Sequence, residues 1–177
     1  SLDKLIAMMN YDGLRAEQVE LRKKGIYRGI GIASFIEVTN PSAAFYGVGG
    51  ARISSQDGVA VRLDATGRVI CQTSITEQGQ GSESLTAQIV GSVLGVSMER
   101  VRVILGDTDN TPYGGGTWAS RGAGIGGEAA LQAAKVLRKN ILDVASVILQ
   151  TKPDDLDIVN NAVVDVQGGQ QRIELNE

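Results

Sequence analysis

The spacing of apolar side chains divides the first part of the chain into helical and strand-like stretches. Residues 2–11 carry apolar side chains at helical spacing, and a second helix is predicted from Asp12, as its cap, to Lys24. Residues 27–38 form an apolar, β-prone run. The pattern therefore predicts a pair of helices followed by a strand.

Short strands are predicted next, in the region before the first long helix. Asp57-Gly58 stands between the runs Ala51–Ser55 and Val59–Leu63, which is a hairpin signal. Arg68–Ile75 then returns as another strand. Alternation of apolar and polar residues in these runs indicates a sheet with one buried face.

The second half of the chain alternates between helical and strand patterns. In order, it is predicted to hold a helix over 83–94 capped by Gly95, a strand over 101–105, a loop over 106–122, a long helix over about 124–149 and a β meander over 156–175. The long helix is expected to bury a face made of Ala130, Ala133, Ala134, Leu137, Ile141, Val144, Ala145 and Ile148. The meander is expected to turn at Asn160-Asn161 and Gly168-Gly169.

This order of elements predicts an α+β fold, that is, a mixed α/β two-layer arrangement in which helices pack on a mixed sheet. It does not match a doubly wound sheet. We expect a single domain over 1–177, with a helical lead-in at 1–26, a core at 27–150 and the terminal β meander at 151–177.

Composition removes several classes of chemistry. The chain has no histidine, which excludes a Ser-His-Asp triad and histidine metal sites within it. Its single cysteine, Cys71, excludes a disulfide framework and a cysteine zinc site, and its position within a strand indicates a small core residue. No catalytic residue and no metal ligand set is predicted.

Charge and hydropathy indicate which partners and which cellular compartment to expect. The net charge is -3 and no basic cluster is present, so nucleic acid is not an expected partner. No apolar run is long enough to span a membrane, and the chain does not begin with a signal-peptide pattern. We therefore expect a cytoplasmic protein with no membrane span.

The first loop with candidate chemistry covers residues 76–84 and joins the end of a strand to a helix start. A helix start presents unpaired N–H groups and a partial positive charge, so it can bind an anion. Gly79 and Gly81 allow the backbone to approach a ligand closely. Gln78 and Gln80 offer neutral donors and acceptors.

The second such loop covers residues 114–124 and also precedes a helix. Thr117 and Ser120 supply hydroxyl groups, and Arg121 has a guanidinium that can bind a phosphate or carboxylate through two hydrogen bonds. Trp118 is either an aromatic that faces a partner or an anchor of the loop. Abundant glycine, with 23 residues in the chain, is concentrated in loops of this kind.

Each loop also has an interpretation without a ligand. The first could be a flexible turn with Ser82 as the helix cap, and the second a mobile surface loop with Arg121 solvated. Because two such loops precede helices in one small domain, anion binding is favoured over the interpretations without a ligand. The candidate cofactor-binding residues are Gln78, Gly79, Gln80, Gly81, Ser82, Gly116, Thr117, Trp118, Ala119, Ser120 and Arg121.

Two stretches near these loops resemble known binding motifs but do not meet all of their requirements. Gly122, Gly124 and Gly127 match G-x-G-x-x-G, but the preceding strand ends too far upstream for a dinucleotide-binding turn. The run that begins at Asp107 starts like a calcium loop, yet it has Pro112 where that loop needs glycine. An Asx-rich turn is the favoured interpretation of this run.

Several motifs in a fixed order carry a family resemblance. They are Gln78-Gly79-Gln80-Gly81, a helix with Ala87-Gln88-Ile89-Val90, Gly95, a Val101-Arg102-Val103 strand, Gly106-Asp107-Thr108-Asp109, and Gly116-Thr117-Trp118-Ala119-Ser120-Arg121 before a helix of small residues. Together they resemble the second molybdopterin-binding region in the large subunit of molybdenum hydroxylases, the family of xanthine dehydrogenase, aldehyde oxidase and aerobic-type carbon monoxide dehydrogenase. The resemblance covers residues 2–150.

The resemblance implies a molybdenum cofactor, molybdopterin, often present as the cytosine dinucleotide in bacterial members. It implies that Gly79, Gln80 and Gly81 lie against the cofactor and that the Thr117–Arg121 loop surrounds its pterin and phosphate portion. It also implies partners: the remaining domains of the large subunit, and FAD-binding and 2Fe-2S subunits or domains. The parent protein would oxidise its substrate at molybdenum.

The chain departs from the family pattern in ways that limit its own activity. It has Ser82 where the family often has histidine, and it has no counterpart of the catalytic glutamate or of the other cofactor-binding region. We therefore expect a domain fragment that is inactive alone. Two other functions stay open: a non-catalytic assembly or binding domain, and a generic binder of nucleotide phosphates.

Overall fold

The computed structural model describes residues 2–39, 41–42, 45–46 and 55–177. Contacts divide the chain into two compact units, residues 1–36 and residues 37–177. The division expected from the sequence, with boundaries near 26 and 150, stays a prediction.

The first unit contains both predicted helices. Helix α1 spans Leu2–Met8 and helix α2 spans Tyr11–Lys23. The residue before α2 is Asn10, with a left-handed φ of 51°, whereas Asp12 lies inside the first turn and is not the cap. The amide nitrogen of the buried Gln18 donates to the carbonyl of Arg28 at 2.6 Å, which attaches the chain after the helix to α2.

The strand predicted at 27–38 is wrong, because residues 26–39 have no regular secondary structure. Apolar side chains in this segment are exposed, with Phe35 at 81% and Ile36 at 98%. A β-prone run becomes a strand only where a neighbouring strand satisfies its backbone, and no described strand pairs with this one. Most of the predicted strand Ala51–Ser55, the partner expected across the Asp57-Gly58 hairpin, lies outside the described residues.

The first sheet of the second unit is mixed. Its strands are β1 (Val59–Leu63), β2 (Val69–Thr73) and β3 (Val101–Leu105), in that order across the sheet. Strands β1 and β2 pair antiparallel, and β2 and β3 pair parallel. The parallel pair requires a crossover, which helix α3 (Ser82–Leu94) provides.

Helix α4, Gly127–Leu149, packs against both sheets of the unit. The second sheet is the predicted meander, formed by β4 (Leu156–Val159), β5 (Ala162–Asp165) and β6 (Gln171–Glu174), all antiparallel. Its turns fall at Asn160-Asn161 and Gly168-Gly169, as predicted, and all four of these residues have positive φ.

Two apolar clusters lie along α4. The first joins the mixed sheet, α3 and the start of α4, and includes the fully buried Val69, Cys71, Val90, Leu94 and Ala134. The second joins the later part of α4 to the meander through Leu142, Ala145, Leu156, Ile158 and Val163. Burial of these side chains holds both sheets on one helix.

The predicted buried face of α4 is partly wrong. Val144 and Ile148 are each 60% exposed, and Leu142 is buried instead. Ala130, Ala134 and Ala145 are buried as predicted. The meander contacts α4 on a face rotated from the one that the apolar pattern marks, so Val144 and Ile148 line an open groove beside Ile173 and Leu175.

The α+β fold is thus confirmed: helices pack on small mixed and antiparallel sheets. Within the part of the chain that the structure describes, no helix is long and apolar enough to cross a membrane.

Gly95 provides a test of how α3 joins the meander. It ends α3 with a φ of 65°, and a Cβ there would lie 1.9 Å from the carbonyl oxygen of Ile158. Gly169 has the same φ of 65° but open space around it. We expect Gly169→Ala to cost about 1–2 kcal/mol through its dihedral alone, and Gly95→Ala a further 1–3 kcal/mol, roughly, through overpacking.

The measurement is the free energy of unfolding of the two variants in urea. Equal losses would show that the α3–β4 junction is not closely packed.

Candidate functional site

The two glycine-rich loops meet in the structure. The hydroxyl of Thr117 accepts a hydrogen bond from the N–H of Thr76 and donates one to its carbonyl, both at 2.8 Å. The side-chain amide of Gln78 donates to the carbonyl of Thr117 at 3.2 Å. The start of α3 and the loop before α4, which are 41 residues apart at this contact, therefore form one site.

The first loop contains an anion of its own. Glu77 Oε1 accepts hydrogen bonds from the N–H groups of Gly79 and Gly81 at 2.9 and 3.0 Å, and its Oε2 accepts one from Glu83 at 3.1 Å. Gly79 and Gly81 have φ of 97° and 83°, a conformation that turns their N–H groups toward the carboxylate. These hydrogen bonds, that of Glu83 first, lower the pKa of Glu77 below its ordinary value of 4.5.

The polar side chains of this loop bond mainly to one another. Gln80 Oε1 accepts from the N–H of Gln78 at 2.7 Å, and Gln80 Nε2 donates to the carbonyl of Thr76 and the hydroxyl of Ser82. Ser82 is buried and is the first residue of α3, with Gly81 before it, so Ser82 is not the helix cap. The side chains that we expected to offer hydrogen bonds to a ligand thus hold the loop in shape.

In the second loop, Arg121 points into the protein. Its side chain is fully buried and pairs with the equally buried Asp57, with 3.1 Å between Nη1 and Oδ2. Its Nε donates to the hydroxyl of Tyr46 at 2.9 Å, and Nη1 donates to the carbonyl of Gly116 at 2.6 Å. The guanidinium thus binds a carboxylate of its own chain, and the expectation that it also binds a ligand phosphate stays a prediction.

Asp57 holds several pieces of backbone around this ion pair. Its Oδ1 accepts from the hydroxyl of Ser74 at 2.8 Å, the N–H of Gly115 at 3.1 Å and Arg121 Nη1 at 3.2 Å. Oδ2 has no hydrogen-bond partner among the described residues and contacts Arg121 as an ion pair. The pair thus connects the end of β2 with both ends of the second loop.

Three aromatic rings surround this region. Trp118 lies 5.7 Å from Phe45 and 5.8 Å from Tyr46 between ring centroids, and the guanidinium carbon of Arg121 lies 5.9 Å from the centroid of Tyr46. The structure thus makes Trp118 an anchor of the loop. Its indole N–H is buried and has no hydrogen-bond partner among the described residues. A buried donor of this kind is costly unless an acceptor reaches it.

The backbone between Trp118 and α4 is unusual. Ala119 and Ser120 both have positive φ, 46° and 52°, which is rare for residues with a Cβ and concentrated at functional sites. The Ser120 hydroxyl donates to Glu37 at 2.6 Å. Gly122–Gly126 then form a π-helical turn that leads into α4.

Three other sequence interpretations are confirmed. Cys71 is buried in the sheet, and burial raises the pKa of its thiol to about 12, as expected of a core residue. Asp107 accepts from the N–H groups of Asp109 and Asn110, which is an Asx turn. No strand lies between residues 106 and 121, all of which the structure describes, so a dinucleotide-binding turn at Gly122 is rightly excluded.

Sequence analysis does not identify Asp57 and Glu77 as residues that shape the two loops. The pattern indicates Asp57 only as a turn residue, although a lone arginine in an apolar, glycine-rich loop calls for a carboxylate partner. Glu77 stands two residues before the Gly-x-Gly segment of a helix start, where a carboxylate is favoured by the helix dipole. Both signals are present, but only the fold shows which carboxylate reaches which partner.

Comparison with known proteins matches this chain to a family. Residues 4–177 match the model of the molybdopterin cofactor-binding domain. The chain belongs to this family. The resemblance to the large subunit of molybdenum hydroxylases is confirmed by the relatives that it matches.

The nicotine 6-hydroxylase large subunit of Paenarthrobacter nicotinovorans is 30% identical over 98% of the chain and 21% of that protein. The carbon monoxide dehydrogenase large chain of Hydrogenophaga pseudoflava is 32% identical over 89% of the chain and 20% of that protein. The crystal structure of quinoline 2-oxidoreductase from Pseudomonas putida 86 superposes with a TM-score of 0.70 at 34% identity, over 98% of the chain and 22% of that structure. The chain thus spans about a fifth of the length of the curated relatives that it matches.

Removal of Asp57 tests the buried ion pair. Asp57→Ala leaves Arg121 buried without its carboxylate, and we expect a loss of about 3–5 kcal/mol in the free energy of unfolding. Asp109→Ala, which removes an exposed carboxylate, is the control, with a change within about 0.5 kcal/mol. Urea unfolding of both variants measures the difference. A loss for Asp57→Ala no larger than the control would contradict the assigned role.

A pH series tests the carboxylate of Glu77. Because its pKa is lowered in the folded state, its stabilisation is present above the ordinary value of 4.5 and is lost as pH falls through the lower folded value. We expect the wild type to have a higher melting temperature than Glu77→Gln at neutral pH, and the difference to shrink below about pH 4.5. A difference that does not change with pH would mean that the charge plays no part.

Proposed function

We propose that the chain holds a molybdopterin cofactor at its two glycine-rich helix starts, as the cofactor-binding domain of a molybdenum hydroxylase large subunit. The observation that supports this is the joining of the two loops through Thr117 and Thr76, in a chain whose residues 4–177 match the cofactor-binding family. One ligand could contact both loops at once, because they already form one surface.

The residues fit a pterin that carries a phosphate. The buried indole N–H of Trp118 lacks an acceptor among the described residues, and a polar pterin edge could supply one. A Cβ added at Gly79, Gly81 or Gly116 would meet nothing within 4 Å, so there is open space where a ligand could approach the backbone. A ligand site that has its shape before the ligand binds, and that leaves space for the ligand, has these properties.

We assign the parts of the cofactor to the two loops as follows. The backbone of Gly79, Gln80 and Gly81 would lie against the pterin. The backbone from Gly116 to Ser120 would surround its phosphate portion, together with the first N–H groups of the turn that begins at Gly122, since a helix start presents unpaired N–H groups. Arg121 would act through its ion pair with Asp57, by fixing this backbone in position.

The cofactor would supply the redox chemistry of molybdenum, by which the parent enzyme oxidises its substrate. The contribution of this chain is to bind and orient the cofactor. Groups of at least three residues suited to hold a metal ion are absent from the described ranges, and we assign no catalytic residue. The catalytic base and the substrate pocket would come from the rest of the large subunit.

Partners follow from the same proposal. The chain spans about a fifth of its curated relatives, so we propose that the remaining domains of a large subunit pack against it. An apolar groove of about 300 Å³, lined by Val144, Ile148, Ile173 and Leu175 among others, would be one contact surface. Electrons would then leave through 2Fe-2S and FAD subunits or domains, in a cytoplasmic complex.

The same groove favours a second candidate function, a domain that only assembles with partners. It lies on the meander side of α4 and shares no residue with the two glycine-rich loops. A pure assembly domain would bind its partners and carry no cofactor. The cofactor content of the assembled protein therefore separates the two functions.

Gly79→Val tests whether the first loop contacts the cofactor. Gly168→Val is a matched control, because Gly168 has a similar φ of 88°, the same open surroundings and a position in the meander turn. Both variants strain the backbone, but only Gly79→Val places a branched side chain against the proposed ligand. We expect molybdenum and pterin content per folded large subunit to fall several-fold in Gly79→Val and to stay near wild type in Gly168→Val.

Equal cofactor content in the two variants would contradict the proposed contact, and a wild-type protein without pterin would favour the assembly function. Acid hydrolysis of the bound pterin distinguishes the forms of the cofactor. Release of cytidine monophosphate would support the cytosine dinucleotide, and release of another nucleotide without pterin would favour a generic nucleotide-phosphate binder.

A further inference from the structure

The start of helix α3 differs from an open helix start in one respect. Three N–H groups that an external anion would use, those of Gly79, Gly81 and Glu83, all donate to the two oxygens of Glu77. A helix start and a run of backbone N–H groups facing one point form an anion-binding nest. Glu77 places a carboxylate at that point from within the chain.

The contact is specific for the Glu77 carboxylate. Glu83 is also a carboxylate in the first turn of α3, yet its side chain accepts no hydrogen bond within the described ranges. The side-chain amide of Gln80, a neutral group between the two glycines of the nest, donates instead to Thr76 and Ser82. Among the described residues, Glu77 therefore supplies the negative charge to the three N–H groups.

We propose that Glu77 is a built-in anion, a positioning residue that fills the nest at the start of α3, sets the shape of the first glycine-rich loop and keeps phosphate and other external anions out of it. The carboxylate takes the place of a ligand anion on the same three N–H groups. The loop is thereby ordered before any ligand arrives, which lowers the ordering cost of binding.

The two helix starts would then have different functions. At α3, the positive end of the helix is already neutralised, so the loop would present its glycine backbone to a neutral part of a ligand. The inference does not depend on the proposed function, because an internal anion would order this loop whether the bound group is a pterin or not.

The experiment tests whether an added anion can replace the Glu77 carboxylate in the nest once that carboxylate has been removed. Formate and acetate are the probes. Glu77→Ala removes the carboxylate, and Glu83→Ala is the control that removes an equal charge from the same helix turn. The readouts are amide hydrogen exchange over residues 76–85 and the melting temperature, with chloride at equal ionic strength as the reference. Glu77→Gln is a second variant, which keeps the side-chain shape if Glu77→Ala does not fold.

We expect the N–H groups of Gly79, Gly81 and Glu83 to exchange about tenfold faster, or more, in Glu77→Ala, since each loses a charge-assisted hydrogen bond. Formate or acetate should restore both protection and melting temperature in a saturable way, and chloride should not. Wild type and Glu83→Ala should show neither faster exchange of these groups nor an effect of formate. In Glu77→Gln, exchange should be faster than in wild type.

Three results would overturn the inference. The first is unchanged protection of the three N–H groups in Glu77→Ala or, if that variant does not fold, in Glu77→Gln. The second is protection of residues 76–85 in the wild type by added phosphate or formate, which would mean that the nest accepts external anions despite Glu77. Loss of protection without rescue would also count against it, because a nest shaped for an anion should accept formate.

Discussion

The buried ion pair between Asp57 and Arg121 is the interaction on which the geometry of the site depends. Both side chains are fully removed from solvent, so neither charge is tolerable without the other. Asp57 also binds Ser74 at the end of β2 and the N–H of Gly115, while Arg121 binds the carbonyl of Gly116. The second loop is therefore fixed to the sheet by charge, and its shape does not rely on apolar packing alone.

Glycine serves two different purposes around this ion pair. A Cβ at Gly114 would lie 2.1 Å from the hydroxyl of Ser74, and one at Gly126 would lie 2.6 Å from Ile75. These glycines let the loop and the start of α4 approach the end of β2. Gly79 and Gly116 have positive φ and open space instead. The same residue type thus packs the scaffold at some positions and shapes the open surface at others.

Much of the fold could be predicted from sequence, because periodicity reports which face of an element is buried. Helices α3 and α4 and the meander carry strong periodic patterns with clear turn residues, and all are present. The strand predicted at 27–38 failed because strand formation needs a partner that local sequence does not name. Likewise, local sequence places Arg121 in the second glycine-rich loop but does not name its partner Asp57, which lies 64 residues away.

The internal bonding of the two loops bears on how they would recognise the polar ligand that we propose. Gln80, Thr117 and Arg121 use hydrogen bonds to hold the loops, so the surface offered to such a ligand would be largely backbone. A backbone held in a fixed shape loses little conformational entropy on binding, whereas flexible side chains would have to be ordered at that moment. Recognition by such a surface would depend on the shape of the loops. Two carboxylates, Asp57 and Glu77, hold that shape through contacts within the chain, so neither would need to touch the ligand.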